Sequence, residues 1–352
     1  MSHLAGLLQH VAEDRGSLTQ QQASSALREI LEGEATDVEI ASLLTAIATR
    51  GATVEELAGF VQAMRIMSRP VPLSEQEREQ LVDTCGTGGD GRGTINISSA
   101  AALVAAAAGA RIAKHGNRGV TSRCGSADVL QALGIPVELA PEMAVACLRQ
   151  TGFMFLYAPA LHPAMKRVQP VRRALGFRTI FNLAGPLTNP AGARAQVVGV
   201  FAPAAVSLVA ETLARLDVRH AFVVHGRDGL DELTLNGLSD VAEVRGRIVR
   251  NFTLEAGEGG LAHAPLHVLA GGDARESARL IESVLQGEPG PRRDVVLLNA
   301  AAALIIAGLA VDFAGGVRCA ADALDSGAGL ELLTQLRKFA GSAIAGSAKQ
   351  KA

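Results

Sequence analysis

The chain has 352 residues, more than one hydrophobic core usually organises, so its length predicts two domains or one large α/β domain with an appendage. Its 33 basic and 35 acidic residues nearly balance, which leaves no overall field to attract nucleic acid or an anionic membrane. Four cysteines without metal-ligand or redox spacing, and an N-terminus without a long apolar region, favour a cytoplasmic protein with reduced thiols and exclude a signal peptide.

The first residues predict an all-helical module. Thr19, Thr36 and Thr53 are each followed three residues later by Gln or Glu. This spacing is the capping box, in which two side chains satisfy the free backbone amides of a helix start. Apolar residues then recur at three- and four-residue spacing, as on one face of a helix. We expect a helical domain over residues 1–72, where a pair of prolines ends the pattern.

From residue 73 onward, short β-like runs alternate with helical patterns rich in Ala and Leu. The runs include LVDT, ARIAKHG, QVVGVF and HAFVVHG. Strand, helix and strand at this spacing predict parallel pairing with right-handed crossovers. The fold class is therefore α/β, with a small helical N-terminal domain and a larger domain over residues 73–345. We expect a mostly parallel central sheet flanked by helices.

A glycine-rich loop, CGTGGDGRGTINISS, joins the first predicted strand of this domain to a helix. Five glycines from Gly86 to Gly93 let backbone amides turn inward, and the helix N-terminus adds partial positive charge. The loop sequence contains the GxGxxG pattern of dinucleotide sites, but no acidic residue follows at the spacing that holds a ribose. Lys114 and His115 end the next strand instead, and no P-loop pattern is present. The loop therefore predicts a phosphate site.

The segment KHGNRGVTSRCGSAD again places donors and glycines just after a strand. Lys114 can neutralise phosphate charge, and Asn117, Ser122 and Ser126 can donate hydrogen bonds. In a β-α-β unit this segment becomes the wall opposite the glycine loop. Two such walls predict a substrate with more than one phosphate group.

Prolines and basic residues interrupt the strand-helix rhythm between Pro159 and Pro190. We expect this segment to cross between the domains and to line their cleft. His162, Lys166, Arg172 and Arg173 bring cationic donors to it, and an arginine can bind a carboxylate through two hydrogen bonds.

Asp231 and Glu232 are adjacent carboxylates in a loop after a predicted buried strand. Adjacent acids are commonly solvated surface, but in an anion pocket they suit Mg²⁺, which takes one or two carboxylates and completes its shell with phosphates and water. Asp228 is a further candidate ligand. His225 is predicted to be structural, because no second histidine lies at ligand spacing.

The motifs GTGGDG, TINIS, KHGNR, GSAD, HPAMK, PVRR, FNLAGPLTNP and DGLDE occur in this order. Together they closely resemble those of anthranilate phosphoribosyltransferases, and the resemblance covers nearly the whole chain. It implies transfer of the phosphoribosyl group from phosphoribosyl pyrophosphate to the amine of anthranilate, the second step from chorismate in tryptophan biosynthesis. It also implies a helical domain completed by a crossing segment near 163–185, and a homodimer joined through that domain.

The resemblance assigns roles to individual residues. Those implied to bind phosphoribosyl pyrophosphate are Gly86, Gly89, Asp90, Thr94, Asn96, Ser98, Ser99, Lys114, Ser122 and Ser126. Ser98, Asp231 and Glu232 would serve Mg²⁺, with two ions per site. Gly86, Asn117 and Arg172 would hold anthranilate, and no residue is implied as a dedicated acid or base.

The chain departs from the family pattern at four positions, namely Ile95, Ser99, Gly119 and Cys124. The family usually has Phe, Thr, Ser and Ser there. Ser99 keeps the hydroxyl group, whereas Gly119 lacks one potential phosphate donor. We expect looser substrate binding at most.

Two other functions are compatible with the architecture. A pyrimidine nucleoside phosphorylase would share it, but would have a different sequence after the Lys-His pair and would not need the acidic pair. A non-catalytic relative that binds nucleic acid is the second alternative. The near-neutral charge weighs against it.

Overall fold

A computed structural model of the chain describes residues 3–119 and 123–349. Its first part is helical, as the sequence predicts. The helices are α1 (His3–Ala12), α2 (Gln20–Glu32), α3 (Asp37–Arg50) and α4 (Val54–Ile66). The three predicted capping boxes start α2, α3 and α4, with both hydrogen bonds of each box formed.

A single sheet forms the centre of the larger part. Its strands are β1 (Leu81–Gly86), β2 (Arg111–Gly116), β3 (Phe153–Tyr157), β4 (Ala195–Gly199), β5 (His220–Gly226), β6 (Leu238–Arg245) and β7 (Ile248–Glu255). Across the described residues these seven strands pair in the order β3-β2-β1-β4-β5-β6-β7. The first five strands are parallel to one another. Strand β6 pairs antiparallel with β5, and β7 pairs antiparallel with β6. The predicted mostly parallel sheet is thus confirmed.

Helices follow or flank the strands. They are α5 (Glu75–Gln80), α6 (Ile97–Ala107), α7 (Ser126–Ala132), α8 (Pro141–Thr151), α9 (Ala158–Leu161), α10 (Gln169–Leu175), α11 (Ile180–Ala184), α12 (Ala204–Arg215), α13 (Ala274–Leu285), α14 (Pro291–Ala307), α15 (Phe313–Asp325) and α16 (Ala328–Lys349). Within the described ranges, none of the helices combines the length and apolar character needed to cross a membrane.

Neighbouring residues of a central strand belong to different apolar cores on the two faces of the sheet. Val197 of β4 lies in the core that includes α6 and α14, and its neighbour Val198 lies in the core that includes α12 and the N-terminal helices. This alternation follows from the two-residue period of a strand. The helical module is therefore packed onto the second face of the sheet.

The segment after β3 crosses back to the helical module. Helix α10 packs against α3, and α11 packs against α4. Arg65 of α4 donates from Nε and Nη2 to the carbonyl oxygen of Leu187, at 2.9 and 2.7 Å. The limits predicted for the domains, 1–72 with 163–185 and 73–345, stay predictions.

Candidate active site

The glycine-rich loop lies where the strand order of the sheet reverses. Strand β1 pairs with β2 on one side and β4 on the other, so the loop after β1 opens at a topological switch point, the usual ligand position in such sheets. The Thr87 amide donates to the carbonyl oxygen of Gly199, at the end of β4, at 2.9 Å. Gly88, Gly89, Gly91 and Gly93 all have positive φ, between 62° and 75°. The loop therefore needs glycine at these positions.

A second segment holds the far end of the loop. The Ile95 amide donates to Leu269 O at 3.0 Å, and the Gly271 amide donates to Gly93 O at 2.9 Å. Thr94 forms an isolated antiparallel bridge with Ala270. Helix α6 begins directly after this pairing, and within the described residues the side chain of its N-cap residue, Asn96, makes no capping hydrogen bond.

Asp231 and Glu232 approach the loop from the segment after β5. A Cβ atom on Gly86 would lie 3.3 Å from Asp231 Oδ2, so the carboxylate sits beside the end of β1. Glu232 Oε1 accepts a hydrogen bond from the Ser98 amide at 3.0 Å, at the start of α6. The three residues that the resemblance implies for Mg²⁺ therefore lie together.

The environment of these two acids disfavours their charged forms. Burial is the main cause that raises the pKa of Asp231, and the nearby Asp90 adds to it. Burial also raises the pKa of Glu232, followed by the charge of Asp231, while Lys114 acts in the opposite direction. Neighbouring acids of this kind are stabilised as carboxylates by a bound cation.

Lys114 lies beneath the start of α6, with only 2% of its surface exposed. Its Nζ donates to the Thr84 carbonyl oxygen at 2.5 Å and to Ser98 Oγ at 3.3 Å. Burial lowers the pKa of its ammonium group, while Asp83 and Glu232 oppose that shift. The lysine thus connects β1, β2 and the helix start that faces the loop.

The loop after β2 forms the second wall. Ser126 Oγ donates to the Asn117 carbonyl oxygen at 3.2 Å, and Asp128 Oδ2 accepts from the amides of Gly119 and Gly125 at 2.8 and 2.9 Å. Asn96 Nδ2 donates to Cys124 O at 3.1 Å, which ties this wall to the glycine loop. Ser122 lies outside the described residues.

Two residues predicted to bind phosphoribosyl pyrophosphate have a buried side-chain oxygen without a hydrogen-bond partner among the described residues. Ser99 is 1% exposed, and its Oγ has no hydrogen-bond partner among the described residues. Asn96 uses its amide nitrogen, as above, but its buried Oδ1 is likewise without a partner in the described part of the chain.

Arg172 is a half-buried cation of the crossing segment. The Arg172 guanidinium lies 5.2 Å from the centre of the Phe181 ring, and burial lowers its pKa. Lys166 and Arg173 are exposed. His162 is buried, which lowers its pKa to about 4, so the expectation that it brings a positive charge is wrong.

Two acids and a histidine nearby have structural partners. Asp228 accepts from Thr234 Oγ1 at 2.7 Å and from the Leu230 amide at 3.3 Å, so it stabilises a turn. His225 Nδ1 is 2.7 Å from Val200 O, the structural role predicted for it. No role for Asp83 was predicted from the sequence. Its side chain is fully buried and accepts a hydrogen bond from the His115 amide at 3.0 Å. A charged residue inside a predicted buried strand was the available signal.

Comparisons with known proteins agree with this geometry. Two family models match: the "Glycosyl transferase family, helical bundle domain" on residues 5–67, and the "Glycosyl transferase family, a/b domain" on residues 78–330. The anthranilate phosphoribosyltransferase of Pelotomaculum thermopropionicum is 50% identical over 331 residues, which are 94% of this chain and 95% of the relative. The chain belongs to the anthranilate phosphoribosyltransferase family.

Solved structures of this family have the same fold. The anthranilate phosphoribosyltransferase of Thermus thermophilus has a TM-score of 0.89 and 43% identity, covering 97% of this chain and 99% of that one. The Saccharomyces cerevisiae enzyme, in complex with PRPP (phosphoribosyl pyrophosphate) and Mg, has a TM-score of 0.86 and 27% identity, covering 96% and 98%. Another structure of the yeast enzyme contains 4-fluoroanthranilate.

Proposed function

We propose that this chain transfers the phosphoribosyl group of phosphoribosyl pyrophosphate to the amine of anthranilate, giving N-(5-phosphoribosyl)anthranilate and diphosphate in tryptophan biosynthesis. The observation that carries the proposal is the meeting of the glycine loop, Lys114 and the Asp231–Glu232 pair at one switch point. Relatives of the same name span nearly the full chain, and the yeast one was solved with PRPP and Mg.

Backbone amides of the glycine loop and the start of α6 would bind the diphosphate. Loop glycines present amides without side-chain obstruction, and the helix start adds positive potential. Lys114 supports this wall from below through Ser98 Oγ. The side chains and glycines proposed for phosphoribosyl pyrophosphate are Gly86, Gly89, Asp90, Thr94, Asn96, Ser98, Ser99, Lys114, Ser122 and Ser126.

The acidic pair fits Mg²⁺. Carboxylate and hydroxyl oxygens are the ligands that this ion prefers, and Ser98, Asp231 and Glu232 offer them within one contact network. Bound Mg²⁺ would neutralise charge on the departing diphosphate. We propose two ions per site.

Anthranilate would lie against the crossing segment. Arg172 has a guanidinium without a carboxylate partner among the described residues, and such a group binds a planar carboxylate well. Asn117 and Gly86 would complete this subsite. The amine of anthranilate is itself the nucleophile, so positioning and electrostatic stabilisation, without a dedicated base, suffice for the reaction.

Anthranilate fluorescence provides the test. We expect it to fall when protein, phosphoribosyl pyrophosphate and Mg²⁺ are all present. The double variant Asp231→Asn, Glu232→Gln should be slower by on the order of a hundredfold, because metal stabilisation is worth several kcal/mol. The control Glu211→Gln, Asp322→Asn removes the same charges at exposed positions and should react normally. No loss of fluorescence at any Mg²⁺ concentration would refute the substrate and leave nucleoside phosphorolysis to be assayed.

We also propose a cytoplasmic homodimer joined through the helical domain. The exposed apolar side chains Val38 and Ile66, 75% and 58% accessible, lie on α3 and α4 and support that surface. Light scattering during gel filtration should give twice the mass of one chain. A monomeric mass at micromolar concentration would contradict the dimer.

A further inference from the structure

Arg178 connects the crossing segment to the glycine loop. It lies between α10 and α11, the two helices that pack against the N-terminal helical module. Its side chain, however, reaches the other part of the molecule. Nη2 donates to the carbonyl oxygen of Gly89 at 2.5 Å. The same residue therefore joins the crossing segment to the middle of the loop.

The guanidinium also stacks on an aromatic ring. Its Cζ lies 4.1 Å from the centre of the Phe201 ring, within the range of a cation–π contact. Phe201 is itself tied to the loop, because its amide donates to Thr87 Oγ1 at 3.0 Å. Arg178 and Phe201, the residue on which it stacks, therefore both bind the Thr87–Gly89 part of the loop.

This contact orients one peptide group. In a trans peptide, the carbonyl oxygen of Gly89 and the amide hydrogen of Asp90 point in opposite directions. Holding the carbonyl therefore fixes the direction of the Asp90 amide. The glycines on either side, Gly88 and Gly91, have no side chains that could do so. Asp90 lies beside Asp231, so the fixed peptide belongs to the site.

We infer that Arg178 is a positioning residue that holds the Gly89–Asp90 peptide ready for the diphosphate group of the substrate. This inference rests on the proposed function. Arg178 is exposed, so its removal opens no cavity in an apolar core. The loss should appear in substrate affinity instead of in the stability of the fold.

The kinetic test uses Arg178→Gln and Arg178→Lys. We expect Arg178→Gln to raise KM for phosphoribosyl pyrophosphate on the order of tenfold, the loss of one charge-assisted hydrogen bond. The kcat value and KM for anthranilate should change less than twofold. The thermal midpoint should change by less than about 2 °C. Arg178→Lys keeps a donor but cannot stack flat on Phe201, so its KM should be intermediate.

Arg250→Gln is the matched control, because Arg250 is exposed on the edge strand β7, far along the sheet order from β1. Equal KM values for Arg178→Gln and the wild type would overturn the inference, as would a drop in the thermal midpoint that accounts for the loss. Calorimetric titration with phosphoribosyl pyrophosphate and Mg²⁺ separates the two proposals. A wild type that binds this ligand without consuming anthranilate would refute the proposed acceptor, and weaker binding by Arg178→Gln would still support the positioning role.

Discussion

At the scale of single residues, position 199 requires glycine because the backbone of Asp231 lies close to it. A Cβ atom there would lie 1.6 Å from the carbonyl oxygen of Asp231, a backbone atom of the residue that carries the carboxylate. We expect Gly199→Ala to displace Asp231, to lower kcat/KM at least tenfold and to destabilise the fold by about 1–3 kcal/mol, as overpacking does.

Activity and urea unfolding would be measured on Gly199→Ala and on Gly257→Ala. A Cβ atom on Gly257 would meet nothing within 4 Å, and its φ is not in the left-handed region. That control should retain both activity and stability. Normal activity in Gly199→Ala would mean that Asp231 is not a constrained part of the site.

Residue types and their spacing predicted which residues meet, but not how each side chain is used. Lys114 and Glu232 converge on Ser98, as donors and carboxylates beside a glycine loop suggested. His162 was expected to be cationic and is buried and neutral, because exposure is a tertiary property. Arg178 has no local pattern that predicts its target, since Gly89 is far away in sequence.

At the scale of elements, one capping carboxylate joins two helices. Glu56 is fully buried and closes the capping box of α4. It also accepts a hydrogen bond from the Leu18 amide at 3.0 Å, just before α2, and pairs with Arg50. We expect Glu56→Gln to destabilise the fold by about 2–4 kcal/mol, because it leaves buried donors and a cation without their partner.

Glu39→Gln is the matched comparison. Glu39 closes the same motif at α3 but is not buried. Its replacement should destabilise the fold far less than that of Glu56, since glutamine also forms a capping box. Denaturant midpoints of the two variants give the comparison directly. Equal effects would show that burial of Glu56 adds nothing.

His162 links the crossing segment to β2 and should make the stability of the fold sensitive to acid. Its ring centre lies 5.2 Å from that of His115, and burial lowers the pKa of both. For His162 the value falls from 6.5 to about 4. Between these values the unfolded chain binds more protons than the folded one, so the free energy of unfolding falls as pH decreases.

The expected contribution of His162 is a loss of about 2 kcal/mol between pH 7 and pH 5. Urea unfolding of His162→Gln should show a shallower pH dependence over this interval, with a slope remaining from His115. His263→Gln, at an exposed position, should keep the wild-type slope. If the free energy of unfolding of His162→Gln depended on pH as strongly as that of the wild type, protonation of the His162 ring would not destabilise the fold.

The antiparallel strands were the part of the sheet that strand-helix alternation did not predict. Strands β6 and β7 are joined through Gly246 and Arg247, with Gly246 at φ 57°. A two-residue loop containing glycine between alternating runs is a hairpin signal. It is easily missed because most residues of β7 are exposed, which weakens its apolar pattern.

At the scale of the whole molecule, the helical module and the sheet share one core. Leu27 of α2, Val209 of α12 and Val223 of β5 belong to the same buried cluster. Arg215 of α12 also pairs with Glu55 of α4 at 2.8 Å. Because this core spans the proposed domain limit, neither part can open without exposing apolar surface of the other.

We therefore expect one cooperative unfolding transition despite the two domains. Native-state hydrogen exchange should give the amides of α2 and of β5 the same opening free energy, with the same dependence on denaturant. Independent domains would give α2 a lower value, because a four-helix module alone buries less surface. That result would indicate that the helical module can unfold while the sheet stays folded, and that the Arg178 contact with the loop breaks when it does.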